Sequence, residues 1–336
     1  MSNQTFILIL SGCIGIFSGI AAVLLKTGVH TIQNFLTEDF YPSYANFMYI
    51  LYPLIGITTA FLLGKYVLKD FGGHGIPDVL FSISKKSSLL PRVKIFSRVL
   101  TSSFTVGFGG SVGLEAPMVM TGSAIGSNVG ALMHLNAKKR TLLIGCGAAG
   151  AISAIFGAPI GAVIFAIEVI LMEISTASFI PLLIASVTGS LTSMLLIGED
   201  SLFNFNLKDS FQATHMPYYL LLGIISGMVS LYFSKMVVAT ERLMGALGSH
   251  WMRITYGGAF LGFMVFLFPP IYGEGYQTLN VLIDGNATEV LEKSLFFSSL
   301  GETKTLLLFL IGIILLKPIA SAITIGAGGS GGIFAP

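Results

Sequence analysis

Thirteen residues are written twice in this chain. Residues 105–117 (TVGFGGSVGLEAP) and 324–336 (TIGAGGSGGIFAP) align without a gap, with eight of the thirteen positions identical. A duplication this dense restricts the fold to one built from two related halves, each carrying the same glycine-rich turn. The copies differ informatively: Glu115 stands where the second copy has Phe334, and the basic residue seven positions before each copy is Arg98 or Lys317.

The duplication lies in a strongly apolar background. Hydrophobic residues make up 54% of the chain and charged residues 10%, against roughly 25% charged in a soluble domain. Apolar runs near 6–34, 46–68, 95–107, 116–134, 141–171, 178–197, 217–240, 254–271 and 304–325 match or approach the ~20 residues a helix needs to cross ~30 Å of hydrocarbon. A multi-pass, all-α integral membrane protein follows, with the lipid bilayer as its first partner. Some runs are too short or too glycine-rich for simple spans, and broken segments survive at membrane depth only when buried in protein or lining a wet cavity. The first segment has no basic leader and no small-residue cleavage site, so it reads as a retained helix. Cys13 and Cys146 sit in apolar helical context and suggest neither a disulfide nor a metal scaffold. There is no Walker-type loop, no His-Glu-x-x-His pattern and no nucleophile beside a base. An enzyme is therefore not expected, nor a cofactor, nor a nucleic-acid partner for a chain of net charge +2.

Basic residues cluster at Lys65 and Lys69, at Lys85, Lys86, Arg92, Lys94 and Arg98, and at Lys138, Lys139 and Arg140, which the positive-inside rule places together on the cytoplasmic face. Segment 72–84 then has to enter and leave from the same side, as a re-entrant element with GGHGIPD at its buried turn. The helix reaching the second glycine motif travels opposite to the one reaching the first. This gives an inverted-topology repeat of tilted, broken and re-entrant helices, with residues 1–198 as one half and 217–336 as the other. In such folds, broken helices meet near the midplane with their N-termini aimed at a bound anion. If the halves are equivalent, roughly eighty further residues of membrane domain are expected beyond Pro336.

Three segments share one design, GGHGIP (72–77), GGSVGLEAP (109–117) and GGSGGIFAP (328–336): glycines, then a proline, then an apolar stretch. Each reads as a helix N-terminus. Proline suits the first helical turn, glycine lets the backbone approach a ligand closely, and the free N–H groups with the positive dipole end form an anion site without a formal cation. Tight helix packing is the plainer reading of any single turn; three such turns, two in inverted copies, favour the anion site. Glu115 sits on one of them, where an ionised carboxylate occupies the anion site until protonation releases it. Intramembrane carboxylates are costly and functional by default. Glu168, in GAPIGAVIFAIEV, reads more readily as a structural or cytoplasmic-end carboxylate.

At these residues the chain resembles the CLC family of chloride channels and chloride/proton antiporters. GHGIPD (73–78) is similar to the family's GSGIP, GLEAP (113–117) to its GREGP, GAPIGAVIFAIEV (157–169) to its carboxylate-ending helix, and GGIFAP (331–336) to its GxFxP. The resemblance implies a homodimer in the plasma (inner) membrane with one pathway per subunit for chloride or another small monovalent anion. It implies Glu115 as the gating carboxylate. The anion is expected at His74 and Gly75, at Gly113 and Leu114 near the outer site, and at the backbone amides of Ile333 and Phe334 at the central one. His74 replaces an anion-coordinating serine with an imidazole. Leu114 and Ala116 replace an arginine and a glycine. Val169 follows Glu168 where the antiporters carry a second, proton-passing glutamate, and valine carries no proton. The expectation is passive anion conduction gated by Glu115, the alternative being proton-coupled chloride exchange by a route that avoids position 169.

Overall fold

A computed structural model describes residues 3–37, 48–70, 75–171, 176–198, 212–286, 290–291 and 303–336. The described residues are predominantly helical, and the expected apolar runs become helices whose ends fall within a few residues of the sequence reading. The first is α1 (Asn3–Thr37), whose 35 residues reach about 50 Å at 1.5 Å per residue. Next comes α2 (Tyr52–Leu62), with Pro53 in its first turn and a π-helical continuation over Leu63–Val67. Then follow α3 (Ile76–Lys85), a 3-10 turn at Arg92–Ile95, α4 (Ser97–Gly107) and α5 (Glu115–Leu132).

The run 141–171 divides in two. The first part, α6 (Ala137–Phe156), starts on the Asn136 side chain, which accepts the Lys139 N–H at 3.0 Å, and stops at Gly157 with φ +65°. Such a left-handed residue followed closely by proline is a helix C-terminus that cannot be extended. The second part, α7 (Pro159–Phe165), runs on as a π-helical turn over Ala166–Ile170. The remaining helices are α8 (Thr176–Ile197), α9 (Met216–Ala246), α10 (His250–Leu267), α11 (Tyr276–Ile283) and α12 (Thr303–Gly326). Among the described residues five helices are long and apolar enough to cross a bilayer: Gln4–Leu36, Ala137–Phe156, Ser178–Ile197, Ala213–Ala246 and Lys304–Gly326.

Several buried clusters hold these helices, two of the largest being as follows. Around α1, α5, α6, α7 and α8 the buried set includes Ile14, Leu143, Cys146, Ala166 and Leu182; around α2, α10 and α12 it includes Ile57, Phe61, Leu261, Val265 and Ala320. In lipid, helices are drawn together by close van der Waals packing, so small residues concentrate at crossings. Where α5 crosses α6, a Cβ on Gly122 would strike the Gly147 carbonyl and one on Gly147 the Gly122 carbonyl.

The basic clusters gather at one end, as their sequence spacing requires. Ser88 Oγ lies 2.6 Å from Thr141 Oγ1 and Lys94 Nζ 2.9 Å from Asp78 Oδ2, joining the 85–94 segment to the start of α6 and to α3. Asp70 accepts from Ser97 Oγ at the start of α4, whereas Gly75, five residues later, packs against Ala116 at the far end of α5. The ten residues of α3, about 15 Å long, then lead back to Lys85, so this element is re-entrant. Arg98, beside Asp70 at the same end, is 8% exposed and lies 3.8 Å from the Asp70 carboxylate, a buried cation.

Gly122→Ala is expected to cost about 2 kcal/mol through overpacking of the α5–α6 crossing and to lower the thermal unfolding midpoint of the detergent-solubilised protein. Gly223→Ala in α9, with nothing within 4 Å of the added Cβ, gains about 1 kcal/mol of helix propensity and leaves the midpoint unchanged or higher. Equal midpoints for the two variants would contradict the tight crossing.

Candidate functional site

Both copies of the repeated motif fold alike as far as their second glycine pair. Thr105 and Thr324 each bond their hydroxyls to the carbonyl four residues back, at 2.9 and 2.8 Å. The chain then leaves the helix by the same route: Gly109 N–H donates to Val106 O and Gly328 N–H to Ile325 O, at 3.0 and 2.9 Å. Gly110 and Gly329 donate to the Thr105 and Thr324 carbonyls at 2.8 and 2.9 Å. Gly109 and Gly328 hold φ of +88° and +106°, open to glycine at no steric cost.

The two turns then face each other and exchange bonds. Ser330 N–H donates to Thr105 Oγ1 at 2.9 Å, and its counterpart Ser111 N–H donates to Thr324 Oγ1 at 3.2 Å. Gly113 and Gly332 exchange N–H···O bonds of 2.8 Å in both directions, as an antiparallel bridge. The positions the alignment makes equivalent are thus partners in space.

Beyond this bridge α5 begins, and Glu115 is 1% exposed. Its Oε1 accepts the Tyr276 hydroxyl at 2.7 Å, while Oε2 is buried with no hydrogen-bond partner among the described residues. The carboxylate folds back over Gly113, where a Cβ would overlap Glu115 Oε2 and come within 2.6 Å of the Ala335 Cβ. Leu114, the N-cap residue, donates its N–H to Glu274 Oε1 at 3.1 Å. Ala116 is where the turns converge: Cβ atoms built on Gly75 and Gly332 would lie 3.1 and 2.8 Å from the Ala116 Cβ. Gly75, with φ +65°, caps α3.

Of the residues singled out in the sequence, Gly75, Gly113, Leu114 and Glu115 therefore meet in one place, with the second motif bonded to it. His74 lies outside the described residues. Ile333 and Phe334 follow the bridge with side chains 41% and 66% exposed, and the Phe334 ring stands edge-on to Phe165 of α7 at 6.0 Å. Residues 333–336, which follow the bridge, are non-helical. Glu168 is exposed on the π-helical turn and Val169 half-buried beside it.

Glu274 and Tyr276 were not legible as site residues. They follow Gly273 and flank Gly275, with φ of +62° and +95°, but no proline marks this turn as it marks the others. The one signal was a carboxylate between two glycines in a charge-poor stretch. Lys317, noted only as the counterpart of Arg98, is buried and donates to the carbonyls of Ile271 at 3.2 Å and Gly273 at 2.8 Å. Tyr272 donates its hydroxyl to Gly107 O at 2.6 Å, fastening the same loop to the end of α4.

Glycine turns joined across a pseudo-twofold relation inside a bundle of tilted and re-entrant helices define a membrane ion-transport fold. The chain belongs to the voltage gated chloride channel family, whose model matches residues 55–336. It is 26% identical to the H(+)/Cl(-) exchange transporter ClcA of Yersinia pestis, over 98% of this chain and 68% of the relative. It is also 26% identical to the chloride channel protein CLC-e of Arabidopsis thaliana, over 98% of this chain and 47% of the relative. The fold superimposes on the crystal structure of a slow cyanobacterial Cl-/H+ antiporter with a TM-score of 0.78 at 21% identity, covering 100% of this chain and 76% of the other. The protein is an integral membrane protein of the CLC anion-transport family.

Thr105→Val is expected to strand the Ser330 N–H and Thr324→Val the Ser111 N–H, each at about 1–3 kcal/mol. Thermal unfolding in detergent should show comparable losses for the two variants. A loss confined to one of them would contradict the reciprocal locking of the turns.

Proposed function

We propose that this protein exchanges anions, with chloride as the leading candidate, for protons across the membrane, using Glu115 as both gate and proton acceptor. The observation that carries this reading is the Glu115 carboxylate itself: fully buried at a helix start, one oxygen held by Tyr276 and the other without a partner among the described residues. A helix N-terminus favours negative charge, so the carboxylate and a permeating anion compete for the same backbone donors. Protonation removes the charge and lets the anion in. A site of backbone amides suits transport, because binding must be weak enough for release.

The relatives named as exchangers support proton coupling over free conduction. Val169 requires a proton route that bypasses that position, and the exposed Glu168 beside it offers the carboxylate at the entrance. In this reading the anion passes the Leu114 and Gly113 backbone, then the amides of Ile333 and Phe334, then the His74–Gly75 turn. Residues 1–198 and 217–336 form the two inverted halves, and the protein works as a homodimer in the inner membrane. Val169 also favours a second reading, passive conduction through the same turns.

Reconstituted full-length protein separates the two. Under a chloride gradient, proton movement against its own gradient at fixed stoichiometry is expected. Chloride flux with no proton movement would instead establish the channel. Glu115→Gln, which cannot take up a proton, is expected to abolish proton movement while chloride flux persists.

A further inference from the structure

The loop 271–276 is fastened more firmly than a surface connection requires. Lys317 holds the Ile271 and Gly273 carbonyls, Tyr272 reaches the Gly107 carbonyl, and Tyr276 reaches Glu115. All this positions one side chain, Glu274, whose Oε1 accepts the Leu114 N–H at 3.1 Å. That N–H is the donor an anion needs at the start of α5. In sequence, Glu274 precedes Gly275 at the start of α11 as His74 precedes Gly75 at the start of α3, and both glycines hold positive φ. The charged and titratable groups acting on Glu274 are Glu115 from α5, Tyr276 from α11, Lys317 from α12 and Lys26 from α1.

We propose that Glu274 is a second built-in occupant of the anion site beside Glu115, holding the Leu114 N–H against anions while ionised and yielding it when protonated. The inference rests on the anion-site reading above and deepens it: access from this side answers to two carboxylates. Two carboxylates sharing a buried site resist ionising together, and a charge-assisted bond to an amide exceeds a neutral one. An ionised Glu274 therefore both occupies the donor and repels the anion. Its neutral form does neither, and leaves the Lys317 charge to favour anion entry.

The test is chloride binding to the purified full-length protein by isothermal titration calorimetry, as a function of pH. Glu274→Gln at neutral pH is expected to tighten chloride binding about tenfold, the scale of one charge-assisted hydrogen bond removed from competition. Glu274→Asp, which keeps the charge, should bind as weakly as the wild type. Matching affinities for wild type and Glu274→Gln, or identical effects of Gln and Asp, would overturn the proposal. A measurement that leaves Glu274 intact guards against a folding defect. In Glu115→Gln, chloride affinity should still rise as pH falls, and that residual dependence should vanish in the double variant. A pH-independent affinity in Glu115→Gln would also overturn it. No chloride binding by the wild type at any pH would instead bring down the anion-site reading, and this inference with it.

Discussion

The pair of hydrogen bonds between Gly113 and Gly332 is the contact on which the rest of the site depends. Backbone donors and acceptors inside a membrane protein must find partners within the protein. Here neither half supplies its own: the Ser111 and Ser330 amides are satisfied only by the threonine of the opposite copy. The approach is feasible because the facing positions lack side chains. A Cβ on Gly331 would run into Val112, and one on Gly332 into Ala116. Two halves that cannot satisfy their turns separately are thereby fixed face to face, and α5 starts from this joint with Glu115 at a set position.

The buried cations preceding the two motifs show one job done by different chemistry. Arg98 stands beside Asp70, in the connection leading to α3. Lys317 binds two backbone carbonyls in the connection leading to α11. Burying a charge costs several kcal/mol unless it is well paired; Lys317 meets that cost by holding two carbonyls of the loop ahead of α11, whereas Arg98 keeps Nε and one Nη without a hydrogen-bond partner among the described residues. In the second half that loop delivers Glu274 to the Leu114 amide and Tyr276 to Glu115. Positioning at the site is thus carried by charge-assisted contacts to backbone, with no salt bridge to either glutamate among the described residues.

Much of this was legible in the sequence. The duplicated motif announced the pseudo-symmetric turns, hydropathy located the helices, and GLEAP placed a carboxylate on a helix start. What escaped depends on tertiary contact alone. Glu274 and Tyr276 reach Leu114 and Glu115 across 160 and 161 residues of chain, and no local spacing encodes that.

The electrostatics of the site bear on the role of Val169. With Leu114 and Ala116 beside Glu115, no cation stands within the motif, and the buried Lys317 spends donors on the Ile271 and Gly273 carbonyls. Two carboxylates therefore face one helix N-terminus. An anion added to an ionised pair would bring a third negative charge into a dry space, where Coulomb repulsion is screened far less than in water. Anion entry is then most favourable once a proton has neutralised one of the carboxylates, whichever residue delivers that proton. On the proposed reading, coupling originates in the charge count at Glu115 and Glu274. Valine at position 169 governs only the path by which the proton leaves.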